Sequence, residues 1–345
     1  MNELLQQETE RLVRSWSRHD AAMLRDYLVA DVEDPRLNVQ SILTRHFLLH
    51  AIFGERFAEL MDAELRFAVT MNWLLQTARE IIGAEDWQAI AAGLDSGADN
   101  AEGVALPAFL RALYSSLPAS AGGLTVPDYL GQFLRIAGAG RGTAVLSPSV
   151  LDTFMALWRA ALAPETAPNR TAVLEPACGS ANDYRYLEAC GLARFLDYTG
   201  FDLCEANVAN ARKLFPAARF EVGNAFAIAG PDRAFDYAYV HDLFEHLSPA
   251  GLEAAVAEVC RVTRLGLCIG CFQMDEIEEH VVRPVDDYHV NTLSLERTLE
   301  LFAGHGFTGE AIHIGTFLRL RFGCERTHNP NAYTLILGSR TAAEC

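Results

Sequence analysis

Residues 173–187 read VLEPACGSANDYRYL. An apolar run ends in a carboxylate, Glu175. The next turn, Ala177 to Asn182, is built almost entirely of small residues, and a helical pattern follows. TAVLEP (171–176) therefore reads as a strand that feeds a helix through a tight turn. In an open α/β sheet, ligands lie beyond the carboxyl ends of the strands, near the point where the strand order reverses. Small residues there let a ligand rest against the backbone, and the first N–H groups of the helix point at it. Two ligand types compete for such a turn. A dinucleotide calls for G-x-G-x-x-G, whereas A-C-G-S-A-N lacks the first and third glycines and stands next to Glu175, which repels a pyrophosphate. The cationic amino-acid end of a ligand suits that carboxylate better.

The same logic recurs downstream. DYTGFD ends a second strand at Asp202, where a carboxylate can accept both hydroxyls of a ribose. RFEVGNAF ends a third at Asn224, whose amide can read an adenine edge. FDYAYVH ends a fourth at His241. Further apolar runs, LGLCIGCF, AIHIGTFLRL and AYTLILGS, alternate with helical stretches such as SPAGLEAAVAEVCRVT, with Ser248 as N-cap and Pro249 at the first helical position. Alternation of this kind predicts a mostly parallel sheet with helices on both faces. Only a loop is expected between the last two runs, which would make them an antiparallel hairpin.

Residues from about 147 to 340 resemble a class I S-adenosylmethionine-dependent methyltransferase. VLEPACGSA resembles that family's acidic, glycine-rich first motif, with Ala177 and Ala181 standing where glycines are usual. TGFDLCEANVANAR, GNAF and FDYAYVHDLFEHLSP resemble, in order, its ribose-binding, adenine-contacting and fourth-strand motifs. The resemblance implies a Rossmann-like seven-stranded sheet whose last strand is antiparallel. It also implies S-adenosylmethionine as cofactor, held by Glu175, Ala177, Gly179, Asp202, Leu203, Asn224, Ala225 and His241. The expected activity is methyl transfer to a small-molecule acceptor. A non-catalytic S-adenosylmethionine-binding regulatory protein and an NAD-dependent oxidoreductase stay open as alternatives. His241 and His289 are the candidate bases, needed only for a hydroxyl or a protonated amine.

Upstream, residues 1–145 read as an all-helical domain, and residues 146–345 as the cofactor-binding domain. ELLQQETERLVRSW carries Leu4, Leu5, Leu12 and Trp16 on one stripe, and GERFAELMDAELRFAVTMNWLL repeats the pattern. The helical part is expected to cover the pocket, to form a homodimer contact, or both, with Phe67, Trp73, Tyr129 and Phe133 available to line the acceptor pocket. The bridging helix SPSVLDTFMALWRAAL, capped by Ser147 and Pro148, should turn Phe154, Leu157 and Trp158 toward a core.

Composition bounds the partners. The 345 residues carry a formal net charge of −17 with no basic run, which disfavours nucleic acid. The charged N-terminus has no apolar leader, and no stretch is long enough to span a membrane, so a cytoplasmic protein is expected. Cys268 and Cys271 form a C-x-x-C inside a strand-like apolar run, where positions i and i+3 face opposite ways, so core packing is expected. His241, Glu245 and His246 are spaced H-x-x-x-E-H, which is not a zinc pattern, and no metal is expected. The polar cluster Asp287, Tyr288, His289 and Asn291 precedes a helix striped with Leu295, Leu299 and Phe302, a place for substrate-facing residues.

Overall fold

The alternating runs after residue 170 build one seven-stranded sheet. The structure is a computed structural model and describes residues 2–26, 34–81, 87–101, 103–117, 120–121, 124–125, 152–167, 169–327 and 329–340. The strands are β1 (Thr171–Pro176), β2 (Leu196–Asp202), β3 (Arg219–Val222), β4 (Phe235–His241), β5 (Thr263–Cys271), β6 (Phe307–His313) and β7 (Tyr333–Ser339). Their order is β3-β2-β1-β4-β5-β7-β6, and β7 alone runs antiparallel to its neighbours. The order reverses between β1 and β4, so the crevice at their carboxyl ends is the switch point.

One run reads differently in three dimensions. AIHIGTFLRL is strand only to His313. From there α12 (Ile314–Phe322) separates β6 from β7, so the two strands pair antiparallel without forming a hairpin. Ile314, Leu318 and Phe322 recur every four residues and are buried; the His313 side chain caps the helix start, and left-handed Gly323 ends it. By contrast α10 (Pro249–Val262) begins as the sequence predicts. The Ser248 hydroxyl accepts the Gly251 N–H, and Leu252, Ala255, Val256 and Val259 are buried.

The preceding helices include α1 (Glu3–Trp16), α2 (Ala21–Asp26), α3 (Val39–Phe53), α4 (Ala58–Ile81) and α7 (Thr153–Leu162). Helix α3 is buried almost all round and lies on the sheet. Its Gln40 Nε2 donates to the carbonyls of Cys271 and Tyr333, both at 2.8 Å, closing the ends of β5 and β7. One apolar core runs through both sequence regions and joins Leu48, Phe67 and Trp158 to Leu187, Phe195 and Ile314. Phe67 and Trp73 belong to that core, while Tyr129, Phe133, Ser147 and Pro148 lie outside the described residues. In α7, Phe154 and Trp158 face inward as expected, but Leu157 is 37% exposed because it falls on the flank of the buried stripe. Cys268 and Cys271 are both buried free thiols. Among the described residues, no helix is long and apolar enough to cross a membrane.

Candidate active site

The turn after β1 is left-handed at three of five successive residues: Ala177 (φ 56°), Gly179 (φ 54°) and Ala181 (φ 65°). The chain reverses here tightly enough for Cys178 N–H to bond Phe201 O at 3.0 Å and for Gly179 N–H to reach Asp202 Oδ2 at 2.9 Å. Alanine pays for this geometry, because a left-handed residue with a Cβ costs roughly 1 kcal/mol. Ala177→Gly is therefore expected to raise stability by about 0.5–1 kcal/mol, read from the urea midpoint. Ala181→Gly should be near neutral, since the same relief is offset by loss of a fully buried methyl, worth about 0.8 kcal/mol.

Asp202 closes the next loop. Its carboxylate accepts Gly179 N–H, Cys204 N–H at 2.8 Å and Asn207 Nδ2 at 3.3 Å. Burial raises the Asp202 carboxyl above its ordinary range, and those three donors oppose the rise. A carboxylate has about four acceptor positions, so one is left for a ligand. Asn224 turns the chain after β3, accepting Phe226 N–H and donating to Thr9 Oγ1 of α1, each at 2.9 Å.

His241, at the end of β4, is held on both sides. Nδ1 meets Asp183 Oδ2 at 2.9 Å, and Nε2 meets Thr44 Oγ1 from α3. The Thr44 hydroxyl also lies 3.0 Å from Gln40 O, and both ring nitrogens of His241 are engaged within the protein. Burial alone lowers this imidazolium, but Asp183 outweighs it and the net shift is upward. The next residue, Asp242, is left-handed (φ 51°), and its Oδ1 accepts from His246 Nε2 at 3.0 Å. His246 Nδ1 donates to His289 O at 2.9 Å. Burial disfavours the charged ring, yet Asp242 overrides it and holds His246 up at about 9. Glu245 is buried and structural: its Oε1 accepts Phe272 N–H at 2.7 Å, and burial pushes its carboxyl to about 7.

The outer wall comes from the start of the chain. Helix α1 crosses the sheet's carboxyl edge because Glu8 docks on the N-terminus of α10. Its Oε1 accepts Ser248 N–H at 2.7 Å and its Oε2 accepts the Ser248 hydroxyl, where the helix dipole favours a negative charge. A Cβ on Gly251 would stand 2.8 Å from that carboxylate, so glycine there makes the approach possible. Arg18 and Arg14 pair with Asp287 at 3.0 and 3.8 Å. Asn210 and Arg185 bond the α2 carbonyls of Ala21 and Arg25. Glu8→Ala is expected to release α1 at a cost of about 1–2 kcal/mol, seen as faster tryptic cleavage at Arg11, Arg14 and Arg18 in the folded protein. Cleavage at the wild-type rate would show that Glu8 does not anchor the helix.

Between this wall and the sheet lies a cavity of about 450 Å³, within the roughly 300–1,000 Å³ range of small-molecule sites. Ala177, Gly179, Asp202, Leu203, Asn224, Ala225 and His241 line it together. Glu175 does not. It is buried beneath the turn, where its Oε2 accepts both Tyr198 and Tyr239 hydroxyls at 2.5 Å, and burial raises its carboxyl far above the usual range. Nor does the His289 ring, whose segment enters through Tyr288 instead. Sequence reasoning missed Asp242 and His246 as cavity residues, and with them the wall residues Trp16, His19 and Met23, whereas Tyr288 belongs to the polar cluster it singled out. The apolar stripe of α1 signalled a buried face for Trp16 but not its destination.

Residues 173–266 match the family model described as a methyltransferase domain. That stretch is a methyltransferase domain, and the sheet around it has the Rossmann-like methyltransferase fold. Solved structures similar to it include an S-adenosylmethionine-dependent methyltransferase from Mesorhizobium loti, at 16% identity over 53% of this chain and 97% of that one, with a TM-score of 0.40. Another is the 1,6-didemethyltoxoflavin-N1-methyltransferase of Burkholderia thailandensis, at 17% identity over 54% and 75%, with a TM-score of 0.39. A third is the magnesium protoporphyrin IX methyltransferase of Synechocystis, at 12% identity over 55% and 83%, with a TM-score of 0.36. A comparison with curated proteins finds no match. The methyltransferase cavity fits its cofactor chemically: a carboxylate with a spare acceptor position at Asp202 is followed by the apolar Leu203, Ala225 and Phe226 around the Asn224 amide. A ribose and a flat base call for that succession of groups.

Proposed function

We propose that this protein transfers a methyl group from S-adenosylmethionine to a small-molecule acceptor. The observation that supports this reading is the cavity itself. It lies at the switch point of the methyltransferase sheet and is walled on its outer side by α1 and α2 of the same chain. The bound cofactor supplies a methyl group already activated by its sulfonium. In this reading Asp202 accepts ribose hydroxyls, Leu203, Asn224 and Ala225 face the base, and the Ala177–Gly179 turn lies against the amino-acid end. Glu175 serves that turn from below through Tyr198 and Tyr239. His241 ties Asp183 to α3, and both of its nitrogens are already hydrogen-bonded within the protein. The N-terminal helices exclude water and align the acceptor, the effect that in-line displacement most needs.

Calorimetric titration tests the cofactor part: S-adenosylhomocysteine should bind and NADH should not. Turnover across panels of small molecules, peptides and RNA then tests the acceptor. Methylation confined to peptides or RNA would overturn the small-molecule reading. Tight cofactor binding with no turnover in any panel would favour a non-catalytic binding protein.

A further inference from the structure

The cavity has lining residues to which the cofactor reading gives no role. Arg14 of α1 and Arg18 just beyond its end flank Trp16 in sequence, and both reach Asp287, the neighbour of Tyr288. Trp16 and Tyr288 both line the cavity, and these ion pairs tie the end of α1 to the segment that carries Tyr288. Tyr288 meets the His246 ring edge-on, with centroids 5.9 Å apart, and Trp16 packs on His19 at 5.4 Å. Four rings thus line the cavity, yet Trp16 is 38% exposed and Met23 is 50% exposed. Side chains of this kind, left half open beside a cavity, favour an apolar, flat occupant.

One carboxylate faces those rings. Asp242 lines the cavity and is held by His246 through Oδ1 alone; its Oδ2 has no protein partner among the described residues. His246 is itself pinned by the His289 carbonyl, so the carboxylate is aimed rather than free to swing. The backbone at Asp242 is left-handed, with its N–H bonded to Gly270 O at 3.1 Å, a strained placement of the kind that accumulates at functional sites.

We infer that Asp242 orients the methyl acceptor, and that the acceptor is an aromatic ring bearing an O–H or N–H donor. This rests on the methyl-transfer reading above. The acceptor donates to Asp242 Oδ2 while its ring lies among Trp16, Tyr288 and His246. Its oxygen or nitrogen then forms the new bond to the methyl carbon as the carbon–sulfur bond breaks, leaving its electron pair on sulfur. The acceptor's proton passes to the Asp242 carboxylate and from there to water. A ring whose hydroxyl is replaced by a methoxy group has no proton to give Asp242 and forfeits that charge-assisted hydrogen bond.

The test is binding to the cofactor-free full-length protein by calorimetry, with naphthol and methoxynaphthalene as probes and S-adenosylhomocysteine titrated in parallel. Naphthol is expected to bind at least about tenfold more tightly than methoxynaphthalene. Asp242→Asn, which tolerates the same backbone conformation, should narrow that gap by about fivefold or more and leave S-adenosylhomocysteine affinity within about twofold. Trp16→Ala should weaken naphthol by about fivefold or more. Equal binding of the two probes, an unchanged ratio in Asp242→Asn, or no binding of naphthol at millimolar concentration overturns the inference. Loss of S-adenosylhomocysteine binding by the wild type, with the probe discrimination intact, would instead overturn the methyl-transfer reading and leave the aromatic site standing.

Discussion

Glu64→Gln is expected to destabilise the protein by about 3–5 kcal/mol, the usual cost of stranding one member of a buried ion pair. Glu64 lies on α4, fully buried, and collects donors from two other helices. Arg45 of α3 pairs with its Oε1, while His46 Nε2 and the Trp158 indole of α7 reach its Oε2 at 2.6 and 2.9 Å. Glutamine keeps the volume, so no cavity confuses the result, but it removes the charge that compensates Arg45. The pH dependence supplies an independent check. Burial would raise the Glu64 carboxyl, but the Arg45 charge and the hydrogen bonds hold it down at about 2. A lowered carboxyl contributes stability that is fully present above its unfolded value of about 4.5 and is lost as pH falls through about 2. A shift of that size corresponds to about 3 kcal/mol, in line with the mutational figure. Urea unfolding between pH 2 and 6 should show this acid limb in the wild type and its absence in Glu64→Gln. A loss under about 1 kcal/mol would mean that Arg45 finds another partner.

Asp202→Ala is expected to raise the dissociation constant for S-adenosylhomocysteine by about five- to 150-fold, or roughly 1–3 kcal/mol. Two effects add. The proposed ribose acceptor disappears, and Gly179 N–H, Cys204 N–H and the Asn207 amide lose the group that fixes the turn. The same three donors predict a lowered thermal midpoint without ligand, so both quantities need measuring. Wild-type affinity in the folded variant would remove the ribose assignment. A lowered midpoint with intact affinity would make Asp202 a loop clamp only.

Much of this domain was legible in its sequence because the relevant signals are local. Strand length, a small-residue turn and a polar residue just past each strand placed Asp202, Asn224 and His241 at one edge of a parallel sheet, since βαβ connections bring all carboxyl ends together. The start of α10 was equally legible, because an N-cap acts on the turn that follows it. The fate of AIHIGTFLRL was not, since a short apolar run fits a strand or a buried helix, and here the four-residue spacing and caps prevail.

What surrounds the ligand edge was decided only by the tertiary structure. An amphipathic stripe says that a face of α1 is buried, not that Glu8 will dock on Ser248, 240 residues away, or that Trp16 will wall a cavity. Nothing near Glu175 in sequence announces Tyr239, which turns that carboxylate away from the cavity and into the floor beneath it. His241 was legible as a strand-end residue, yet its lack of an open nitrogen depends on Thr44 and Asp183, brought in by two separate helices. The physical reason is the same each time. Periodicity and turn chemistry act over a few residues and set where an element starts, stops and hides a face. The partner of that face, and so the charge and proton state of each group in the site, is set by contacts whose sequence separation no local pattern encodes.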